Sequence, residues 1–218
     1  MEKYNGKQDK IKRNDFSSVS LFFFTTSFIG WLFETIVCFI LDKRFTDRGF
    51  LIMPICPVYG LPITLTYLFV GIPKDSFLMR IFEKIKLKTE EGKRWRFLGC
   101  CIVYALLAAC IATFFELMAG IILKEIDAVM WDYSSFSFNY NGHVCFAISF
   151  IWGVLLTIAM LTFIKPLYLS ILKINKKIRN VLSVFLLGFL LFDIVFNLYY
   201  ISIYQTRYEL IFAHLRIL

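Results

Sequence analysis

The sequence predicts an all-α integral membrane bundle of about five transmembrane helices, the N-terminus cytoplasmic and the second helix kinked by proline. Three observations predict it. Hydrophobic residues make up 59% of the 218 positions and charged residues 18%, whereas an ordinary soluble domain is about a quarter charged. The mean hydropathy is +0.69, more apolar side chain than a soluble fold of this size could hide. The apolar residues also fall into long runs separated by basic loops. Disorder, a collagen-like repeat and a secreted disulfide scaffold are excluded by the same composition.

A bilayer-crossing helix needs about 20 apolar residues, and five segments qualify: 16–41, 50–72, 97–123, 143–164 and 181–204. They leave a cytoplasmic tail over 1–15, a membrane domain over 16–204 and a C-terminal tail over 205–218. The first run follows a basic N-terminus but is too long for a signal-peptide core and has no Ala-x-Ala cleavage site, so it is expected to remain in the mature chain. No internal repeat is evident, and no hydrophilic segment is long enough to build a soluble core.

Orientation follows from charge. The N-terminal tail carries five Lys and Arg, the 73–96 loop eight and the 165–180 loop five, which is 18 of the 24. The other side receives Lys43, Arg44, Arg48, Lys124, Arg207 and Arg216. Cytoplasmic loops hold the basic excess, so the N-terminus is expected inside and the C-terminus outside. This distribution assigns the net charge of +8 to membrane orientation rather than to nucleic acid.

Individual spans carry further signals. Pro54, Pro57, Gly60 and Pro62 interrupt the second; proline removes a backbone donor and clashes with the preceding turn. Irregular backbone at membrane depth must be buried in protein or face a wet cavity. In the third, Ala105, Ala108, Ala109 and Ala112 suit close helix packing. Leu78, Ile81, Phe82 and Ile85 recur at helical spacing among basic residues, which reads as an amphipathic cytoplasmic helix over 75–88 that lies in the headgroups or docks a partner. The six cysteines lie in apolar stretches without metal-ligand spacing and read as small hydrophobes.

Ionisable groups inside a span cost about 2.5–3.5 kcal/mol each on insertion scales, so Glu34, Glu116 and Asp193 need an explanation. Glu34 and Glu116 each lie seven residues from the outer end of their span, about 10 Å below the surface at 1.5 Å per residue. Asn197 and Pro57, beside Tyr59, come out at a similar depth, and Asp193 lies one turn below Asn197 on the same helix face. Either the carboxylates bridge helices, with Arg48 as counter-charge, or they line an outward-facing polar pocket. The outer loop adds Trp131, Asp132, Tyr133 and Ser134, then Phe138, Asn139, Asn141, Gly142 and His143. Each also has a structural explanation, as an interfacial aromatic or a turn former.

The ordered set Gly30-Trp31-x-x-Glu34, Arg48-Gly49-Phe50-Leu51, Pro54-x-x-Pro57-x-Tyr59-Gly60, Glu116, Trp131-Asp132-Tyr133-Ser134, Phe138-Asn139-x-Asn141-Gly142 and Trp152-Gly153 resembles the putative ABC-transporter type IV (CmpB-like) permease family of bacterial membrane proteins. The resemblance runs over about residues 20–155. Met53 stands where the family usually has glycine, and His143 where a basic residue tends to follow the Asn-Gly pair. The resemblance implies a permease subunit or permease-like protein of the bacterial plasma membrane. Its substrate site would draw on Glu34, Arg48, Tyr59, Glu116, Asp132, Asn139 and Asn141, supported by Trp31, Trp131, Tyr133, Asp193 and Asn197, and would take a zwitterion, a cation or a lipid headgroup.

No Gly-x4-Gly-Lys-Ser/Thr loop exists, since Gln8 follows Gly6-Lys7 and Arg94 follows Gly92-Lys93. ATP-driven transport would therefore need a separate ATPase, for which the 75–88 helix is the candidate dock, and five spans suggest an oligomer or a second membrane subunit. No cofactor and no metal are expected. Two other readings compete: a membrane-embedded enzyme acting on a lipid or lipid-linked substrate, with carboxylates dividing acid and base roles and Arg48 holding phosphate, or an accessory or sensory protein without substrate.

Overall fold

Every buried side chain on the last long helix is polar, while many of its large apolar side chains are exposed. This helix, α7 (Lys176–Tyr204), buries Arg179, Ser183, Asp193 and Asn197. It exposes Val184, Phe185, Leu191 and Phe192. Such inversion costs free energy in water and is what a lipid solvent selects. The computed structural model describes residues 15–43, 49–85, 89–205 and Tyr208.

The chain is an all-α membrane bundle. Its elements are α1 (Phe16–Asp42), α2 (Pro57–Leu65) continuing into a π-helical turn (Thr66–Val70), and a 3-10 turn (Pro73–Asp75). Then come α3 (Phe77–Glu83), α4 (Glu90–Glu125), a two-stranded ribbon of β1 (Asn139–Tyr140) and β2 (Val144–Cys145), α5 (Phe146–Thr162), α6 (Ile164–Lys173) and α7. Among the described residues, three helices are long and apolar enough to cross a membrane: Phe16–Ile40 within α1, α4 and α7. A fourth crossing is available if α5 and α6, bent by 50°, count as one broken span.

The expected second span takes another form. Residues 50–56 are irregular, and helix begins only at Pro57, where proline fits because a first-turn N–H is unsatisfied anyway. Pro62 inside α2 and the π turn shorten it further, and Gly71 at φ +82 ends it. About 20 Å of helix results, less than the hydrocarbon core. The amphipathic segment is likewise shorter than expected, with α3 covering Phe77–Glu83 and residues 86–88 outside the described set.

The chain divides into two compact units. In the first (residues 1–61, 122–130 and 170–218), α7 presents Arg179, Ser183, Leu186, Leu190, Asp193 and Asn197 on one seam, spaced alternately by four and three. That is the interval of a left-handed helix pair. α1 answers with a seam of buried Ser17, Ser20, Phe24 and Ser27. Ser183 Oγ donates to Ser17 O at 3.0 Å, so the two N-terminal ends lie together and the helices run parallel.

Arg179 closes that end. Its Nη1 donates to Leu172 O and Ile174 O at 3.0 and 2.9 Å, and its Nη2 pairs with Asp15 Oδ2 at 2.8 Å. Farther along, Leu51, Met53 and Ile55 enter a core with Phe24, against which Leu186, Leu187 and Leu190 pack. Leu51, Met53 and Ile55 of the proline-rich entry are thus buried in protein, while Pro54 is exposed.

In the second unit (62–121 and 131–169), the alanine stripe of α4 receives α5. A side chain at Gly153 would strike the Ala105 carbonyl and Ala109, so glycine sets the close approach expected of small residues. At the start of α4, Cys100 Sγ lies 3.8 Å from Pro73 O. Tyr104, 1% exposed, donates to Gly71 O at 2.6 Å. Lys165 pairs with Asp75 at 2.7 Å, which brings the far end of α5 to the start of α4, so the two run antiparallel. Taken separately, each unit joins basic segments that the charge count assigns to one side: the N-terminus with 165–180, and 73–96 with 165–180.

Candidate functional site

The residues singled out from the sequence divide between the two units. In the first, Ser27, Gly30 and Glu34 follow one face of α1 at helical spacing. Gly30 has no room for a side chain because the Tyr59 ring lies over it, and Gly60 abuts Ser27 in the same way. The Gly30-x-x-x-Glu34 spacing therefore brings the start of α2 close to α1, with Glu34, half-buried, one turn beyond that contact. Trp31 stacks on Phe28 at 6.0 Å.

Asp193 is 1% exposed and Asn197 0%. The Asp193 carboxylate accepts Ile52 N–H at 2.9 Å and Met53 N–H at 2.8 Å, and the Asn197 amide donates to Oδ1 at 2.7 Å. These bonds satisfy amides of the irregular 50–56 stretch that no helix pairs. Arg48 lies outside the described residues.

In the second unit, Glu116 on α4 is 8% exposed and accepts the Tyr133 hydroxyl at 3.0 Å. One turn farther along α4, Gly120 leaves the space that the His143 ring occupies. The 131–145 loop is thereby pressed onto the C-terminal part of α4 at two levels, and Trp131 Nε1 donates to His143 O at 2.8 Å.

The remaining loop residues shape the loop itself. Asp132 accepts Ser134 N–H and Oγ–H at 2.8 and 3.0 Å. The Asn139 amide donates to Phe136 O at 2.7 Å, and its Oδ1 accepts Gly142 N–H at 3.1 Å. Asn141 and Gly142, at φ 51 and 74, make the left-handed turn that Asn-Gly favours between antiparallel strands, closed by His143 N–H on Tyr140 O at 3.0 Å.

A group of Glu116, Tyr133 and His143 thus stands toward the C-terminal end of α4, with a carboxylate that can accept or exchange a proton and hold a cationic group. Sequence reading did not place His143 against α4, where Gly120, four residues beyond Glu116, leaves room for its ring. It also counted Arg179 only as a loop charge. A separate cleft lined by Leu65, Phe69, Cys110, Ile111, Phe114 and Phe115 is apolar and open, with Phe69 and Phe114 exposed, as suits an acyl chain rather than a polar solute.

The sequence model of the family described as Putative ABC-transporter type IV matches residues 21–198. The chain belongs to this family. The match reaches beyond residue 155, where the motifs end, and takes in Asp193 and Asn197. Comparison with curated proteins and with solved structures gives no match.

Proposed function

We propose that the protein is a permease subunit that receives a cationic or zwitterionic solute at an outward-facing polar core centred on Glu116. The reading is supported by the family, which is transport-related, and by one observation: a carboxylate in a membrane-spanning helix, bonded to Tyr133 of a rigid outer loop. A buried carboxylate has to be compensated, and placing it beneath a loop built of turn-forming hydrogen bonds makes it a fixed electrostatic feature. Asp132, Asn139 and Asn141 would shape the entrance. ATP-driven transport by this chain would draw on a separate ATPase on the cytoplasmic side. The bacterial plasma membrane is the corresponding location.

Glutamine retains the shape and hydrogen-bonding capacity of glutamate but cannot ionise. Glu116→Gln is expected to reach the membrane, to melt in detergent close to wild type, and to fail in a complementation assay. Wild-type complementation by Glu116→Gln would show that the carboxylate only joins α4 to the loop.

A further inference from the structure

We infer that α3 and the first turns of α4 form an interfacial anchor that binds the anionic headgroups of the cytoplasmic leaflet. The inference is independent of the transport reading. α3 is amphipathic with both apolar faces in use. Leu78 is buried, and the Phe82 ring fills the space over Gly99 of α4. Phe77 and Ile81, one turn apart, remain 46% and 54% exposed, and Ile85 just past the helix is 50% exposed. The segment cannot roll these residues inward. Ser76 Oγ, buried, accepts Met79 N–H at 3.2 Å, Lys165 holds Asp75, and Arg96 Nη1 donates to Ile85 O at 3.0 Å.

Charge and position decide what covers this face. Lys74, Arg80, Lys84 and Arg94 are exposed around it. Among nearby acids, Asp75 is paired with Lys165 and Glu90 with Lys93, and the exposed Glu83 and Glu91 leave the cations of the segment in excess. Trp95, between Arg94 and Arg96, is 68% exposed, the placement of an interfacial aromatic. α4 has 36 residues, about 54 Å of helix against about 30 Å of hydrocarbon, so its first turns extend into the headgroup zone. Exposed apolar side chains among cations at that level match the leaflet of the same bilayer, apolar below and anionic above.

The test uses the full chain in nanodiscs of phosphatidylcholine alone and of phosphatidylcholine with phosphatidylglycerol at three to one. Wild type is expected to melt higher with phosphatidylglycerol, and added salt should erase the increment. The variant Arg80→Gln/Lys84→Gln/Arg94→Gln should match wild type in phosphatidylcholine and lose more than half of the increment. Brominated lipid should quench the fluorescence that Trp95→Phe removes. An unchanged increment in the triple variant, or Trp95 fluorescence indifferent to brominated lipid, overturns the inference. So does an ATPase retained by wild type and lost from the triple variant equally in both lipid mixtures, which would make the face a protein dock.

Discussion

Asp193 and Glu116 are both carboxylates at membrane depth, yet their surroundings assign them different work. Asp193 answers a backbone problem: Pro54 and Pro57 prevent the entry to α2 from pairing its own amides, and Asp193 accepts two of them. Asp193→Ala would strand both donors in protein, at about 1–3 kcal/mol each. A thermal melt in detergent should show a large loss for this variant, with Asp193→Asn intermediate because an amide offers one acceptor where the carboxylate offers two. A wild-type melting curve for Asp193→Ala would refute the assignment. Glu116 meets a side-chain hydroxyl instead, so its neutral isostere should fold. The sequence placed both carboxylates at depth but could not separate them, because the distinction lies in residues 52, 53 and 133, far away along the chain.

At the scale of elements, the parallel pair of α1 and α7 is held at the N-terminal ends by Arg179 and Asp15. The hydrogen bond from Arg179 lowers the Asp15 carboxyl below the usual 3.8, against a smaller opposing effect of burial. A lowered folded value means the pair stabilises the fold above about the unfolded value and loses that contribution as pH falls through the folded one. Melting temperatures of wild type and Asp15→Asn should therefore differ at neutral pH and converge below about pH 3.8. A difference that persists at lower pH would contradict a charge-based clamp. The helices α1, α4 and α7 were legible from apolar length, and so was the packing role of the α4 alanine stripe. The brevity of α2 and the bend between α5 and α6 were not, because an apolar run does not reveal where prolines and a π turn stop a helix short. The Asn141-Gly142 turn shows the reverse: its dipeptide suffices to predict the local geometry, and that geometry is structural.

At the scale of the molecule, the polar core faces outward only if the charge asymmetry sets the orientation. Two ion pairs, one in each unit, join segments that the count places together, Asp15 with Arg179 and Asp75 with Lys165. Depth estimated along the spans did not show that the sequence-derived site residues divide between two units, or that several serve their own loop. The direct measurement is accessibility in intact cells. Ser135 in the 131–145 loop and Thr89 before α4 are both exposed, so a single cysteine at either position, in an otherwise cysteine-free chain, can react where the reagent reaches it. An impermeant maleimide should label Ser135→Cys and leave Thr89→Cys unlabelled until the cells are opened. The opposite pattern would put Glu116 and its loop at the cytoplasmic face and contradict an outward-facing site.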